Sequence, residues 1–213
     1  MSDDAMWRDW REHYRRSGMD PDDIARDGIV DLDAWANAPS KVLFVLKEVN
    51  DHRGQDLREF LREGPKYQMW HTVARWASGL LGGFPPFQQV DSWDAMHESL
   101  QRIACINLKK ADGGSSAHMP TVNAFALHDR HFLRRQIESI RPDILVACGT
   151  WDSVGWILDL ALRPDREEVH PLWDEKRRLW ALPWMHPGRK DNVETYNSLR
   201  ELVAQIPSDR EQQ

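Results

Sequence analysis

Short apolar runs alternate with longer amphipathic patterns along the chain, and each pattern has the period of one type of secondary structure. Residues 5–17 place Trp7, Trp10 and Tyr14 at i, i+3 and i+7, which is one face of a helix. We expect these three side chains to belong to the core rather than to a ligand platform. Apolar runs rich in β-branched and aromatic residues instead indicate buried strands. Four such runs occur, at residues 41–47, 102–108, 143–149 and 177–184.

Helical patterns lie between and after these runs. They cover residues 56–63, 66–80, 92–101, 128–140, 151–162 and 193–206. The helix at 128–140 is expected to stop at Arg141, because Pro142 disfavours a helical residue before it. Residues 109–120 are polar and predict a flexible loop. Strands that alternate with helices favour a mainly parallel sheet covered on both faces. We therefore predict an α/β fold with three layers, α/β/α, around a central, mainly parallel, four-stranded sheet.

Length and composition suit one folded domain. The chain has 213 residues, of which 41% are hydrophobic and 29% charged, an ordinary globular composition. We predict a single domain over residues 1–213, in which residues 1–38 form an N-terminal helical extension packed on the rest. No apolar run approaches the roughly 20 residues of a membrane span, and residues 1–10 are too acidic and polar for a signal peptide. We expect a cytoplasmic protein that acts as a monomer and has no membrane partner.

The chain contains little that suggests a metal or an organic cofactor, and we predict none. Its two cysteines, Cys105 and Cys148, lie in apolar runs, which excludes a disulfide scaffold, a four-cysteine zinc site and a four-cysteine iron–sulfur cluster. No P-loop or dinucleotide fingerprint is present. His128 and His131 have the i, i+3 spacing of a ligand pair, but the sequence indicates no third ligand, so we expect a solvated helix face.

Charge and aromatic content limit the partners. The formal net charge of −6 excludes a general basic coat for nucleic acid, although it allows a local basic patch. Eleven of the 20 aromatic residues are Trp, a side chain that suits stacking surfaces as well as cores.

Polar and charged residues follow each predicted strand directly. In a parallel α/β sheet, ligands bind outside the carboxyl ends of the strands. A carboxylate can orient or deprotonate water or offset charge on a sugar-like cation, an amide can pair with a base edge, and an imidazole can stabilise an anionic leaving group. Together with cations for phosphate, these groups suit cleavage of an N-glycosidic bond. The strand-end residues are Lys47, Glu48, Asn50, Asn107, Lys109, Lys110, Gly149, Thr150, His186, Arg189 and Lys190.

Taken in chain order, the segments VLFVLKEVN, CINLKK, DILVACGTWD and WMHPGRKD resemble the strand ends of the uracil-DNA glycosylase superfamily. In that family the first strand runs into a motif such as GQDPY, GINPG or GEAPG. The second strand ends in an Asn-containing or related segment, the third in a Gly-rich turn, and an HPS-type loop follows the last. The resemblance covers about residues 41–206 and implies a DNA glycosylase that flips its target base out of the stack.

The resemblance assigns roles to four residues by position. Glu48 falls where the family has its water-activating acid. Lys47 falls on the Gln before that acid, and we expect it to help bind the base. Asn107 matches the Asn that reads the edge of the flipped base. His186 matches the histidine that supports the departing base.

The remaining cations would contact DNA, either a duplex with a flipped base or a single strand. Arg189 or Lys190 falls where the family inserts a wedge residue into the duplex. Lys109 and Lys110 are candidates for holding phosphates, although both also suit simple solvated positions. Tyr67 or Trp70 is a candidate for stacking on the flipped base; these two residues are also typical of a buried helix.

The substrate is expected to be a modified base. Uracil-specific family members close the first motif with a Tyr that crowds the base at C5, whereas this chain has the smaller and polar Asn50. Asn50, Asp51 and His52, together with the rich supply of Trp, suit a hydroxylated or glycosylated substituent. A C5-substituted cytosine or uracil is therefore the predicted substrate. Because bulky C5 modification is typical of phage genomes, we expect a role in defence against modified phage DNA.

The same residues also have structural interpretations. Glu48 could cap the next helix or pair with Lys47 or Arg53. A lone Asn such as Asn107 at a strand end is more often a turn residue than a ligand, and His186 alone would be a loop residue. Two other functions remain open: a non-catalytic nucleic-acid or protein binding module, favoured by the acidic charge and by LKEVN lacking Gly and Pro, and a hydrolase of free nucleosides or nucleotides, which needs no wedge.

Overall fold

The computed structural model describes residues 3–20, 22, 24–50, 55–114, 116–161, 170–188 and 191–207. Within these ranges, none of the helices is long and apolar enough to cross a membrane. The helices are α1 (Asp3–Arg16), α2 (Leu32–Ala36), α3 (Leu57–Arg62), α4 (Gln68–Gly82), α5 (Phe87–Val90), α6 (Trp93–Gln101), α7 (Met119–His128), α8 (Arg130–Ile140), α9 (Trp151–Leu158) and α10 (Asn192–Val203). The strands are β1 (Gly28–Ile29), β2 (Val42–Asn50), β3 (Ala104–Gly113), β4 (Ile144–Cys148), β5 (Leu172–Asp174) and β6 (Leu179–Trp184).

The strands form one mixed sheet in the order β1-β3-β2-β4-β6-β5. The four strands predicted from sequence, β2, β3, β4 and β6, are adjacent and parallel to one another. The short strands β1 and β5 add antiparallel edges on either side, so the described sheet has six strands rather than the predicted four. Edge strands of two and three residues are too short to show a periodicity in the sequence.

Helices cover both faces of the sheet, as predicted. The alternating side chains of β2 divide between two hydrophobic cores, because successive residues of a strand point to opposite faces. Leu43 and Val45 pack with residues of α1, α7, α8 and α9. Phe44 and Leu46 pack with residues of α3, α4, α6 and α10. These two cores confirm the three-layer arrangement.

The N-terminal segment belongs to the first of these cores. Trp7, Trp10 and Tyr14 have no exposed surface, which confirms the predicted helical face and its burial. The indole rings of Trp7 and Trp10 stack with their centroids 5.3 Å apart. Residues 1–38 are more than a helical extension, however, since β1 lies within them and pairs with β3.

The prediction of a flexible loop at 109–120 is wrong for its first part. Residues 109–113 continue β3, and β2 continues with them, so that Glu48 pairs with Lys109 and Asn50 with Gly113 in the parallel ladder. The extension carries charged residues that the sequence pattern places outside a buried strand. Lys109 and Lys110 each form an ion pair, and these pairs compensate the burial of their charges.

Both cysteines are free and completely buried, as expected for apolar strands. Burial disfavours the charged thiolate and raises the pKa of the Cys105 thiol, with smaller contributions from Cys148 and Asp27. Burial also raises the pKa of the Cys148 thiol. Since the thiolate is the reactive form, neither cysteine suits a nucleophilic role.

Candidate functional site at the carboxyl ends of the strands

The strand order creates a topological switch point between β2 and β4. The chain leaves β2 for β3 on one side and later returns to the other side of β2 with β4. In open α/β sheets, ligands bind in the crevice that such a switch point opens. The two strand ends that flank this crevice carry Lys47 and Gly149, both predicted from sequence as strand-end residues.

Three of the predicted strand-end residues meet at Gly149. A Cβ atom added to Gly149 would lie 3.1 Å from Cε of Lys47 and 3.3 Å from Cβ of His186. The backbone of Gly149 has a φ of +66°, a left-handed conformation that glycine adopts without strain. Its N–H donates to the carbonyl oxygen of Trp184 at 2.7 Å. The ends of β2, β4 and β6 therefore converge as the parallel sheet predicted.

The N-terminus of α9 follows Gly149 directly. Its N-cap residue, Thr150, makes no side-chain capping bond. The Thr150 hydroxyl instead donates to the carbonyl oxygen of Val45 at 2.9 Å and ties α9 to β2. The uncapped N–H groups and the helix dipole favour an anion at this end of α9.

Replacement of Gly149 by Ala tests this convergence. We expect Gly149→Ala to lower the free energy of unfolding by about 2–3 kcal/mol, because it combines left-handed backbone strain with crowding against Lys47 and His186. Urea unfolding measures the effect. Gly83→Ala is the matched control, since Gly83 has a φ of +70° with no atom within 4 Å of an added Cβ and should cost only about 1 kcal/mol. Equal losses for the two variants would contradict the packing described for Gly149.

Glu48 is held by an ion pair across the ends of β2 and β3. Nζ of Lys109 lies 2.8 Å from Oε2 of Glu48, and the two side chains are only 10% and 7% exposed. The same ammonium group donates to the carbonyl oxygen of Asp112 at 2.7 Å. A Cβ on Gly113 would lie 2.5 Å from Cδ of Glu48 and 2.7 Å from the backbone carbonyl oxygen of Val49, which cannot move as a side chain can, so glycine is required beside the carboxylate. Lys109 thus neutralises Glu48 within the fold, which differs from the phosphate contact predicted for it.

Asn107 lies inside β3 and not in a turn. It pairs with Leu46 in the ladder, and its backbone N–H donates to Oδ2 of Asp27 at 2.8 Å. The residue is only 2% exposed. Asn107 is therefore almost completely shielded from solvent.

His186 lies beyond β6 and is half-buried. Its Nδ1 atom accepts a hydrogen bond from the backbone N–H of Gly188 at 3.1 Å. A nitrogen that accepts carries no proton, so the neutral ring has its proton on Nε2. This tautomer gives His186 a hydrogen-bond donor at the ring edge opposite Gly188.

The prediction that Lys110 contacts DNA is wrong. Lys110 has no exposed surface, and its ammonium group lies 2.7 and 2.8 Å from the two carboxylate oxygens of Asp27. It also donates to Oε1 of Gln136 at 2.9 Å and lies 5.0 Å from the ring centroid of Trp10. Because residues 109 and 110 are successive strand residues, their side chains point to opposite faces of the sheet. Burial lowers the pKa of Lys110, while the charge and hydrogen bonds of Asp27 oppose that shift.

Of the two residues predicted to stack on the flipped base, only Tyr67 has an exposed ring. Trp70 is 5% exposed and belongs to the core beneath α4, so it is not available to a base. Tyr67 is 66% exposed and stacks on Phe60, with ring centroids 5.7 Å apart. Asn50 ends β2, and its side chain is not described. The remaining predicted residues outside the described parts of the chain are Asp51, His52, Arg53, Arg189 and Lys190.

A separate cavity of about 770 Å³ lies along β1, lined by residues that sequence reasoning did not single out. Asp27 and Gln136, the partners of Lys110, form part of its wall, together with Arg58 and Arg62. The guanidinium groups of these two arginines are already engaged: Arg58 pairs with Asp56 at 2.6 Å, and Arg62 donates to a backbone carbonyl oxygen. Among the predicted strand-end residues whose side chains the structure describes, none lines this cavity.

No protein-family model matches the chain, and a search of curated proteins finds no match either. The resemblance to the uracil-DNA glycosylase superfamily therefore rests on the four strand-end segments of the sequence alone.

Proposed function

We propose that the protein is a monofunctional DNA glycosylase. It would flip a modified or damaged pyrimidine out of DNA and hydrolyse its N-glycosidic bond, leaving an abasic site. The observation that carries this proposal is the meeting of Lys47, Gly149 and His186 at the switch point of the sheet, with the Glu48–Lys109 pair on the adjoining strand ends. We further propose that it acts as a cytoplasmic monomer and that its reaction needs no cofactor.

In the proposed reaction, Glu48 stabilises the positive charge that develops on the sugar, and His186 stabilises the negative charge that develops on the base. The C1′–N bond breaks and its electron pair leaves with the base, while the sugar becomes a cation similar to an oxocarbenium ion. Glu48 offsets this positive charge and orients the water whose oxygen forms the new bond to C1′. The proton that the water loses passes to the carboxylate and then to solvent. The Nε2–H of His186 donates to the anionic base as it departs.

The proposed phosphate contacts come from the same crevice. Lys47 is half-buried beside Gly149, and the N-terminus of α9 follows Gly149 directly. A cation and a helix N-terminus at one place favour a backbone phosphate next to the flipped nucleotide. These contacts take the role first expected for Lys109 and Lys110, whose ammonium groups are paired inside the fold.

The proposed substrate is a pyrimidine with a substituent at C5, as the replacement of the family's Tyr by Asn50 suggests. Hydroxylated or glycosylated bases of this kind are typical of phage DNA, which supports a role in defence. Asn107 would read the edge of the base, since an amide both donates and accepts.

A non-catalytic binding module is the second candidate, and one observation favours it. The Glu48 carboxylate is only 7% exposed and is already neutralised by Lys109. Such a pair also suits a purely structural role at the end of two strands. A module of this kind would bind DNA through the crevice without cleaving it.

A glycosylase assay on defined duplexes separates these candidates. The duplexes contain uracil, 5-hydroxymethylcytosine, glucosylated 5-hydroxymethylcytosine or unmodified cytosine at one position, and abasic sites are detected by alkaline strand cleavage. We expect one modified base to be excised and cytosine to remain. Salt-dependent duplex binding without any abasic site would instead support the binding module. Hydrolysis of the matching free nucleosides, with no duplex binding, would support the third alternative from sequence.

A further inference from the structure

Two histidines and an aspartate converge at the junction of three helices, on residues that the proposed function does not use. His13 lies in the last turn of α1, His128 ends α7, and Asp129 connects α7 to α8. His13 Nε2 lies 3.1 Å from His128 Nδ1 and 3.5 Å from Asp129 Oδ1. His128 Nδ1 lies 2.6 Å from the same carboxylate oxygen. Three potential ligand atoms from distant parts of the chain thus face one point.

These separations suit a tetrahedral metal ion. Zinc binds histidine nitrogen and carboxylate oxygen at about 2.0–2.2 Å, which holds neighbouring ligand atoms roughly 3.3 Å apart. The two separations from His13 Nε2, 3.1 and 3.5 Å, bracket that value. The His128–Asp129 separation is shorter and must lengthen by roughly 0.7 Å to match it.

Hydrogen bonds with neighbouring hydroxyl groups orient the potential ligands, as is common around metal sites. The Tyr14 hydroxyl donates to Oδ2 of Asp129 at 2.8 Å and leaves Oδ1 directed at the two histidines. The Ser17 hydroxyl lies 2.8 Å from Nε2 of His128 and 3.0 Å from the carbonyl oxygen of His13, to which it can donate. A hydroxyl that donates to the carbonyl accepts from Nε2–H of His128, which selects the tautomer with an unprotonated Nδ1.

Burial and exposure in this cluster also fit a bound cation. The Asp129 side chain has no exposed surface, whereas the imidazoles of His13 and His128 are each 31% exposed. A completely buried carboxylate requires a positive or hydrogen-bonding partner. A metal ion would meet that requirement on the inner side, and the exposed histidine side leaves room for water as the remaining ligand.

We propose that His13, His128 and Asp129 bind one divalent ion of the zinc class, with water completing the coordination. Imidazole and carboxylate ligands select such an ion over hard cations like Mg²⁺. The ion would fasten α1 to the α7–α8 junction, since His13 and His128 are 115 residues apart in the chain. The competing state has a proton on Nδ1 of His128, which then donates to Asp129 and leaves no place for a metal.

Titration of metal-free protein with Zn²⁺ alone tests the proposal. We expect one ion per chain, measured by calorimetry, and a rise in Tm of roughly 5–10 °C when free Zn²⁺ is about 100 times its Kd. His13→Ala and His128→Ala should each lose that shift. Ser17→Ala, which keeps all three ligands, should weaken binding by about 10-fold. Bound Co²⁺ should show the visible absorption of a tetrahedral site.

His131→Ala is the matched control, because His131 is an exposed histidine on α8 outside the cluster. It should bind Zn²⁺ as the unchanged protein does. Absence of binding to the unchanged protein would overturn the proposal and leave the protonated network as the occupant of the cluster. Binding that survives both His13→Ala and His128→Ala would also overturn it, by placing the ion elsewhere. If either variant fails to fold, the Ser17→Ala comparison and the Co²⁺ spectrum of the unchanged protein decide.

Discussion

Glu48→Gln and His186→Ala are each expected to lower the rate of base excision by about 10²–10³-fold, because each removes charge stabilisation that develops in the transition state. The Gln side chain keeps the shape of Glu48 and can still accept from Lys109, but it cannot offset the positive sugar. Removal of the imidazole leaves the departing base without its donor. The rate is measured under single-turnover conditions on the duplex that the unchanged protein cleaves.

Glu59→Gln is the control for Glu48→Gln, since Glu59 is exposed on α3, away from the strand ends. It should leave the excision rate unchanged. Circular dichroism and urea unfolding establish that the inactive variants are folded. Excision at the normal rate by both folded variants would rule out the assigned roles, while loss in only one of them would retain that residue alone.

Lys110→Met is expected to lower the free energy of unfolding by about 3–5 kcal/mol, because it leaves the Asp27 carboxylate buried without its cation. Neither side chain of the pair has any exposed surface. The double variant Asp27→Asn/Lys110→Met removes both charges and should recover part of the loss. Urea unfolding measures all three proteins.

Lys66→Met is the control for this prediction, since Lys66 pairs with Glu63 at the surface, with 45% of the Lys66 side chain exposed. Its free energy of unfolding should stay within about 0.5 kcal/mol of the original value. A loss this small for Lys110→Met would contradict the burial of that pair. Salt-dependent loss of DNA affinity, with unchanged stability, would instead revive the phosphate contact first expected for Lys110.

The sequence pattern predicts a helix correctly where the spacing of its apolar residues places them all on one buried face. The stripe of Trp7, Trp10 and Tyr14 predicted both α1 and its burial. The left-handed Arg141 before Pro142 ends α8 as expected. The sequence pattern does not predict α7, because this helix begins at Met119, inside the predicted loop at 109–120, and its apolar residues are not confined to the buried face: Leu127 is 64% exposed.

The candidate site was predictable only as a set of strand ends. Parallel strands place their carboxyl ends at one edge of the sheet. The sequence therefore identifies the residues that follow each apolar strand as candidate site residues. The sequence does not show which cations can contact a ligand. Lys109 and Lys110 are adjacent in the chain, and they differ in the face of the sheet to which their side chains point. The partners that decide their roles, Glu48 and Asp27, lie 61 and 83 residues away.

The sequence by itself therefore determined the α/β class, the four central strands and the core-facing side of α1, since each depends on the spacing of apolar residues within one segment. The tertiary structure alone decided the strand order with its switch point, the two edge strands and the pairing of buried charges. It also brought His13 to His128 and Asp129. These features depend on contacts between segments far apart in the chain, and a buried charge is stable only where such a contact supplies its partner.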